Sequence, residues 1–325
     1  MDIKKRLIEE KNIVDNELHS VTGPLKPEIL YDPVKYAVSM GGKRLRPILS
    51  RMINRMVGGS EEFIKHPSLA IELFHNFTLI HDDIMDNDDL RRGAETVHKK
   101  WDVSTGILSG DGIIGLAYET LMIKPYERMI EVIKVFTRGV IEVCEGQAYD
   151  KEFESRDDVV LDEYLVMIYK KTAALLKVSS EIGSIVGNGD KETTKLCGDY
   201  GEAIGMAFQI QDDLLDITAD EAKLGKTFGS DTCEGKKTFL YIKAMEKLKG
   251  QDRERYLELI KKDGNTLSEI IEVKDIYTNS GVIEDTISEI KFWINKAYLT
   301  LKELSKNFDT EELEQFTDYL LNRDY

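Results

Sequence analysis

Apolar residues in this chain recur at intervals of three and four, which is the spacing of a helix with one buried face. One row comprises Met129, Ile130, Ile133, Phe136 and Val140, and another comprises Tyr164, Leu165, Ile168, Leu175 and Val178. In these regions no segment alternates apolar and polar residues around an Asn-Gly or Asp-Gly turn, as a β-hairpin would. The pattern therefore predicts α-helices.

Proline and glycine positions predict where the first helices begin and end. All six prolines lie in the first 125 residues. Proline is tolerated in the first turn of a helix but not in its interior, so we expect helices to begin at Pro33, Pro47 and Pro67. These helices should end, respectively, at Gly41-Gly42, at Gly58-Gly59 and near Asp86.

The later part of the chain contains no segment that separates two domains. No stretch rich in Pro, Gly or Ser interrupts it, and the polar breaks at Asp263-Gly264-Asn265 and Asn279-Ser280-Gly281 are typical of connections between helices. We predict one all-α domain over residues 1–325, a single large helical bundle. On length alone, two domains remain possible.

The charge balance excludes some classes of function. The chain has 60 acidic and 44 basic residues and a net charge of −16, which argues against a nucleic-acid-binding protein and against adsorption to an anionic membrane. We find neither an apolar run of about 18 residues, as a transmembrane helix needs, nor a secretory signal. The cysteines Cys144, Cys197 and Cys233 are far apart and odd in number, which fits free thiols. We expect a soluble, cytoplasmic protein.

Two helices carry the same cluster of aspartates. Asp82, Asp83 and Asp86 share one helical face, and Asp212, Asp213 and Asp216 repeat the spacing in the second half of the chain. Three carboxylates on one face repel one another, and divalent cations would compensate. Oxygen ligands favour Mg²⁺. One such cluster alone could be a solvated acidic face, but two copies with apolar neighbours favour metal binding.

Basic residues are concentrated near the same segments. The run from Gly41 to Pro47 contains Lys43, Arg44 and Arg46, and Arg91-Arg92 follow the first aspartate cluster. The two glycines let the backbone approach a ligand closely, and the helix N-terminus expected at Pro47 favours an anion. Further basic positions occur later in the chain, at Lys170-Lys171-Thr172, Lys226 and Lys236-Lys237-Thr238. Without further context we interpret these lysines as ordinary solvent-facing cations.

Like charges about 4 Å apart repel by about 4 kcal/mol at an effective dielectric constant of about 20. A diphosphate therefore cannot lie against the aspartates unless cations lie between them. Binding through metals at the aspartates and binding directly at the basic residues predict two different anion sites. This arrangement indicates two phosphorylated substrates in one cavity.

Taken together, these motifs resemble the trans-isoprenyl diphosphate synthases, and most closely the archaeal geranylgeranyl and farnesyl diphosphate synthases. The resemblance rests on Gly42–Pro47, on Asp82–Asp86 with Arg91-Arg92-Gly93, on Phe208–Asp216, and on the loop from Gly225 to Lys236. It implies an isoprenoid-synthase-like bundle around a central cavity, and a homodimer. It also implies a prenyltransferase that condenses isopentenyl diphosphate with an allylic diphosphate by Mg²⁺-assisted ionisation, condensation and elimination.

The resemblance assigns a role to each matching residue. The metal ligands, for about three Mg²⁺ ions per site, would be Asp82, Asp83, Asp86, Asp212, Asp213 and Asp216. The allylic diphosphate would contact Arg91, Lys171, Lys226 and Lys236. Isopentenyl diphosphate would contact Gly42, Lys43, Arg46, His75 and Arg92. Thr172 and Gln209 would line the reacting centre, and with Lys171, Asp82, Asp83, Asp86 and Asp212 they form the expected catalytic set.

Product length is expected to depend on the residues before the first aspartate cluster. By resemblance Phe77 and Thr78 limit the pocket, and Phe74 is a further candidate. We expect a C20 product, geranylgeranyl diphosphate, with C15 farnesyl diphosphate as the alternative. A terpene cyclase would not need the glycine-rich basic motif, and a non-catalytic synthase subunit commonly lacks aspartates from one cluster. Both stay open as rival classes.

Overall fold

The computed structural model of the chain describes residues 2–218, 229, 235–262 and 266–321. Lys226 and the predicted break at Asp263-Gly264-Asn265 lie outside these residues. The chain divides into two compact units. The first unit comprises the described residues of Met1–Val140, Val178–Gly198 and Leu304–Leu313, and the second unit those of Ile141–Lys177, Asp199–Glu303 and Glu314–Tyr325. The expectation of one domain over the whole chain stays a prediction.

Helices account for nearly all the regular structure of the described residues, as the apolar spacing predicted. The first helices are α1 Ile3–Val21, α2 Glu28–Ser39, α3 Leu45–Met56, α4 Glu61–Met85, α5 Val97–Lys100, α6 Val103–Leu121 and α7 Met129–Glu154. They are followed by α8 Leu161–Ile168, a π-helical turn Tyr169–Ala173, α9 Ala174–Val186, α10 Lys191–Thr218, α11 Phe239–Lys247, α12 Gly250–Ile260, α13 Leu267–Asn279, α14 Val282–Leu304 and α15 Glu311–Leu321. Among the helices described, none has the length and hydropathy of a membrane-spanning segment.

Two of the three predicted helix starts are wrong. The expected end points and the helix at Pro47 are confirmed closely, but α2 and α4 begin more than one turn before Pro33 and Pro67. Ser60 provides the actual start of α4, because its side chain accepts a hydrogen bond from the backbone N–H of Glu62 (3.2 Å). Both prolines are buried in their helices, so side-chain packing outweighs the backbone hydrogen bond that each removes.

A short antiparallel hairpin follows α4. Strand β1, Leu90–Arg91, pairs with β2, Ala94–Glu95. Arg92 and Gly93 turn the chain with φ values of 54° and 78°, which a tight hairpin turn requires. The hairpin presents two consecutive arginines immediately after the first aspartate cluster.

Each unit has an aromatic core that holds the helices carrying the motifs. In the first unit Phe136 contacts Phe74 of α4 edge to face, with ring centroids 5.9 Å apart. In the second unit Tyr164 of α8 contacts Phe239 of α11 in the same way, at 6.1 Å, and both rings are almost completely buried. These contacts bury large apolar areas and fix the orientation of the helices.

Arg44, in the turn between α2 and α3, is buried in an ion-pair network. Its guanidinium lies 2.8 Å from Asp15 of α1 and 2.7 Å from Glu72 of α4, and it donates to the backbone oxygen of Val38 at 2.6 Å. Only 2% of the Arg44 side chain and 3% of that of Glu72 are exposed. Arg44 therefore fixes the basic turn to α1 and α4, and it has a structural function distinct from that of the neighbouring cations.

Replacing Arg44 with Ala should strongly destabilise the protein. The change leaves Glu72 buried without its main counter-ion, which costs about 3–5 kcal/mol in a buried pair. Urea denaturation measures this loss. Arg255→Ala is the matched control, because the ion pairs of Arg255 with Glu258 and Glu272 are largely exposed, and its unfolding curve should be close to that of the wild type. Equal shifts in the two variants would contradict the structural role of Arg44.

Candidate active site

The first aspartate cluster lies at the end of α4, and its members differ in environment. Asp83 is buried (3% exposed), Asp82 is half-buried, and Asp86 is exposed at the C-cap of the helix. The Asp83 carboxylate accepts a hydrogen bond from Arg91 Nε at 2.5 Å. Burial raises the pKa of Asp83 to about 6, although Arg91 opposes this shift. Asp83 thus fixes the position of Arg91, while the more accessible Asp82 and Asp86 lie one turn apart.

The basic turn comes together with α4 and the hairpin in the first unit. Arg46 Nη1 lies 3.2 Å from His75 Nε2, and Arg92 donates to the backbone oxygen of Gly41. Gly41 and Gly42 have φ values of 77° and 139°, which glycine adopts readily. A Cβ added to Gly42 would lie 2.8 Å from Arg92 Nη1, so glycine allows this close approach. The structure therefore brings four of the residues predicted for isopentenyl diphosphate into one region.

His75 is surrounded by positive charge. Burial lowers the pKa of His75 well below its ordinary value, and the cations of Arg46, Arg92, Arg44 and Arg91 lower it further. The imidazole is consequently neutral near pH 7. A small anion placed here would gain from the arginine cations, and it could accept a hydrogen bond from a neutral ring nitrogen. Lys43, the remaining cation of the predicted group, is exposed.

The residues predicted to limit product length form part of an aromatic row on α4. The rings of Phe74 and Phe77 stack with centroids 5.7 Å apart, and the ring of Phe77 lies 4.6 Å from that of His81. The hydroxyl of Thr78 donates to the backbone oxygen of His75 at 2.8 Å. Phe74 and Phe77 therefore brace each other. His81 belongs to this row although the sequence analysis gave it no role.

The second aspartate cluster, on α10 in the second unit, repeats the arrangement of the first. Asp213 is buried (5% exposed), whereas Asp212 and Asp216 are half-buried. One carboxylate oxygen of Asp213 accepts from the Tyr164 hydroxyl (2.5 Å) and from the backbone N–H of Phe239 (2.9 Å), and the other accepts from Gln209 Nε2 (3.1 Å). Three protein donors thus hold Asp213 in place.

Lys171 and Thr172 lie in the π-helical turn, which the regular apolar spacing did not predict. Lys171 Nζ is 2.5 Å from Asp150 Oδ2. The hydroxyl of Thr172 donates to Gln209 Oε1 at 2.9 Å, and Gln209 in turn donates to Asp213. Such turns contain one extra residue per turn and often occur at functional sites.

Sequence reasoning missed three residues of this region. Asp150 and Gln147 lie on α7, and Tyr164 was interpreted only as part of an apolar row. The buried side-chain amide of Gln147 makes no hydrogen bond within the described part of the chain, so it is a further candidate for ligand contact. Of the predicted lysines, Lys236 is exposed and Lys226 lies outside the described residues. No sequence signal identifies Tyr164, because its partner Asp213 is distant in the chain.

The two aspartate clusters are suited to a metal ion that binds together with a substrate diphosphate. In the described ranges, no group of three or more His, Cys, Asp or Glu residues is arranged to enclose a metal. Asp82 with Asp86, and Asp212 with Asp216, instead offer pairs of oxygen ligands one helical turn apart. Mg²⁺ keeps several waters and commonly uses one or two carboxylates together with substrate phosphates. The residues present therefore fit Mg²⁺ bound with a diphosphate.

Comparison with known proteins identifies the family. Residues 27–277 match the model of the polyprenyl synthetase family. The chain is 37% identical to the short chain isoprenyl diphosphate synthase of Methanothermobacter thermautotrophicus, covering 100% of this chain and 99% of the relative. It is 38% identical to the geranylgeranyl diphosphate synthase of Methanosarcina mazei, covering 96% and 95%.

A solved structure shows the same fold. The geranylgeranyl pyrophosphate synthetase from Pyrococcus horikoshii superimposes with a TM-score of 0.90 at 35% identity, covering 99% of this chain and 98% of that one. The all-α, isoprenoid-synthase-like fold predicted from the motifs is thereby confirmed. The family model matches most of the chain, and both relatives align over nearly their whole length. The chain therefore belongs to the polyprenyl synthetase family, a family of prenyltransferases.

Proposed function

We propose that this protein is a cytoplasmic, Mg²⁺-dependent short-chain isoprenyl diphosphate synthase that condenses isopentenyl diphosphate with allylic diphosphates. The observation that carries the proposal is the repeated arrangement of the two aspartate clusters. In each, protein donors hold the buried second aspartate, and the first and third aspartates are more accessible. Asp82, Asp86, Asp212 and Asp216 are accordingly the principal metal ligands, and Asp83 and Asp213 support them.

The reaction needs a stabilised leaving group. When bound, Mg²⁺ neutralises charge on the allylic diphosphate. Arg91, held by Asp83, and Lys171, paired with Asp150, are cations proposed to contact the allylic diphosphate. The allylic C–O bond breaks and its electron pair leaves with the diphosphate. The double bond of isopentenyl diphosphate then attacks the allylic carbon, and the proton lost in the final step goes to the released diphosphate.

The second substrate, isopentenyl diphosphate, would bind to cationic side chains directly and not through metal ions. Arg46, His75 and Arg92 lie together in the first unit, where arginine cations surround the His75 ring, so they suit direct binding of isopentenyl diphosphate. Neutral His75 donates a hydrogen bond and adds no charge. This anion region is the feature that a terpene cyclase would not need, and it favours a synthase over a cyclase.

Asp82→Ala should lower kcat about 100-fold or more, because charge stabilisation at the leaving diphosphate is lost. The assay follows isopentenyl diphosphate consumption with geranyl diphosphate, a C10 allylic diphosphate, as starter, with and without Mg²⁺. Asp89→Ala is the matched control, since Asp89 is an exposed aspartate paired with Lys99 at 2.8 Å, and it should retain wild-type turnover.

Three outcomes of this assay would contradict the proposal. Wild-type protein that consumes no isopentenyl diphosphate but releases hydrocarbon from the allylic substrate would be a cyclase. Wild-type protein inactive by itself would fit a non-catalytic subunit. Near-normal turnover of Asp82→Ala would contradict the metal role of Asp82.

We propose geranylgeranyl diphosphate, C20, as the main product. Two observations support this length: relatives with that activity in their names align over nearly the whole chain, and the row of Phe74, Phe77 and His81 braces one face of α4 before the aspartates. A wild-type product that stops at C15 would favour the farnesyl alternative.

Phe77→Ala should lengthen the products beyond those of the wild type, because removing the ring opens space next to Phe74. Chromatography of the dephosphorylated products measures their length. Phe292→Ala serves as control, since Phe292 on α14 is 58% exposed, and its products should match those of the wild type. An unchanged distribution for Phe77→Ala would exclude Phe77 as the limiting residue.

We propose that the protein is a homodimer formed through α6. In the first unit, three apolar residues close together on α6, Val103, Ile107 and Leu108, are 50%, 44% and 61% exposed. Exposed apolar patches of this kind are typical of protein interfaces.

Leu108→Glu should convert the dimer to a monomer in sedimentation velocity, because it places a charge in the apolar interface. Leu299→Glu is the control, because Leu299 of α14 is equally exposed (68%) but lies in the second unit, and it should remain dimeric. A monomeric wild type, or dissociation only in the control, would contradict an interface at α6.

A further inference from the structure

The π-helical turn Tyr169–Ala173 has a glycine packed against its backbone on each of two helices. Gly146 of α7 meets the turn at Lys170 and Lys171: an added Cβ would lie 2.7 Å from Lys170 C and 2.7 Å from Lys171 Cα. Gly205 of α10 meets the end of the turn, where an added Cβ would lie 2.6 Å from Ala173 Cα. Backbone atoms cannot move aside as a flexible side chain can, so neither position accommodates a side chain without a shift of the turn.

Each glycine lies one helical turn before the residue that binds a side chain of the π-helical turn. Asp150, which pairs with Lys171 at 2.5 Å, follows Gly146 by four residues. Gln209, which accepts from Thr172 at 2.9 Å, follows Gly205 by four residues. Residues four apart lie on the same helical face, so the close backbone contact and the polar contact are formed by the same face of each helix.

The remaining contacts hold α10 itself. Gln209 donates to Asp213, and Asp213 is fixed by Tyr164 and Phe239. The position of Gln209 is therefore set independently of Thr172. The Thr172 hydroxyl reaches Gln209 because α10 lies close to the π-helical turn. The absence of a side chain at Gly205 permits this short separation.

We propose that Gly146 and Gly205 are positioning residues, which act by letting α7 and α10 approach the π-helical turn so closely that Lys171 and Thr172 are held at the allylic substrate. The inference rests on the proposed function, in which Lys171 and Thr172 serve the allylic diphosphate and the reacting centre. Neither glycine contacts substrate. Each acts through the residue of the turn that its helix holds.

Gly146→Ala and Gly205→Ala test the proposal in the full-length protein. Small misplacements of catalytic groups are costly, so kcat should fall about 10- to 100-fold. The KM for the allylic diphosphate should rise about fivefold or more, while that for isopentenyl diphosphate stays within about twofold. The control is Asp89→Ala, because Asp89 is exposed, pairs with Lys99 at 2.8 Å and lies in the first unit, whereas the π-helical turn lies in the second, and its kinetics should match the wild type.

Double mutants separate positioning from a general structural effect. In a Lys171→Ala background, Gly146→Ala should lower kcat by less than about twofold further, because the group it positions is already absent. The same holds for Gly205→Ala in a Thr172→Val background. If the losses in kcat from the two single mutations multiply in the double mutant, the proposal is overturned. Equal KM changes for both substrates would also overturn it, as would Ala variants that lose the wild-type circular dichroism, since the glycines would then serve folding alone.

Amide hydrogen exchange of residues 169–173 gives a readout that does not depend on activity. Exchange there should be faster in Gly146→Ala and in Gly205→Ala than in the wild type and in Asp89→Ala. If the wild type proves inactive with isopentenyl diphosphate, the proposed function fails while this packing result still stands. Unchanged exchange together with unchanged kinetics would overturn the inference about the glycines.

Discussion

The repulsion between carboxylates that share one helical face is the constraint on which this structure depends. At each cluster the second aspartate is turned into the protein and bound by donors: Arg91 for Asp83, and Tyr164, Gln209 and the Phe239 backbone for Asp213. Burying a carboxylate is costly unless it is hydrogen-bonded. These donors offset that cost, and the other two carboxylates of each cluster are the more accessible ones. The donors also hold each helix in a defined rotation.

The rotation in turn determines where the other functional groups lie. Asp213 holds Gln209, and Gln209 holds Thr172 in the π-helical turn. Asp83 holds Arg91, which orients the hairpin that carries Arg92. A residue first expected to bind metal thereby organises a cation or a hydroxyl that lies far from it in the chain. Each aspartate motif therefore supports its surroundings, in addition to the ligand role proposed for it.

Much of this could be predicted from sequence because the signals are local. Apolar spacing predicted the helices, and the repeated aspartate spacing predicted the paired carboxylates. The starts of α2 and α4 were missed because burial of Pro33 and Pro67 overrides the local preference of proline. The π-helical turn was missed because one extra residue in a helix changes its register without leaving a compositional signal. Asp150 and Tyr164 were missed because their importance depends on partners distant in sequence.

The basic run also shows why residue type alone does not assign a role. Arg44 and Arg46 are two residues apart, yet Arg44 is neutralised by Asp15 and Glu72 inside the protein, whereas Arg46 lies against the neutral ring of His75. Burial distinguishes the two residues, since only 2% of the Arg44 side chain is exposed, whereas Arg46 is half-buried. The spacing of cations predicted an anion region, but only the fold shows which of them an anion can use.

Part of the excess of acidic residues has a specific role in ion pairs with the cations of the proposed site. Arg91 and Lys171, two of the cations proposed to contact the allylic diphosphate, are each paired with a carboxylate. Under the proposed function, a diphosphate that contacts either side chain exchanges one ionic contact for another, and both side-chain cations are already held in place before it binds. Groups already oriented lose little entropy when the substrate arrives. A net charge of −16 is thus compatible with an anionic substrate, because carboxylates such as Asp83 and Asp150 hold the cations proposed to bind it.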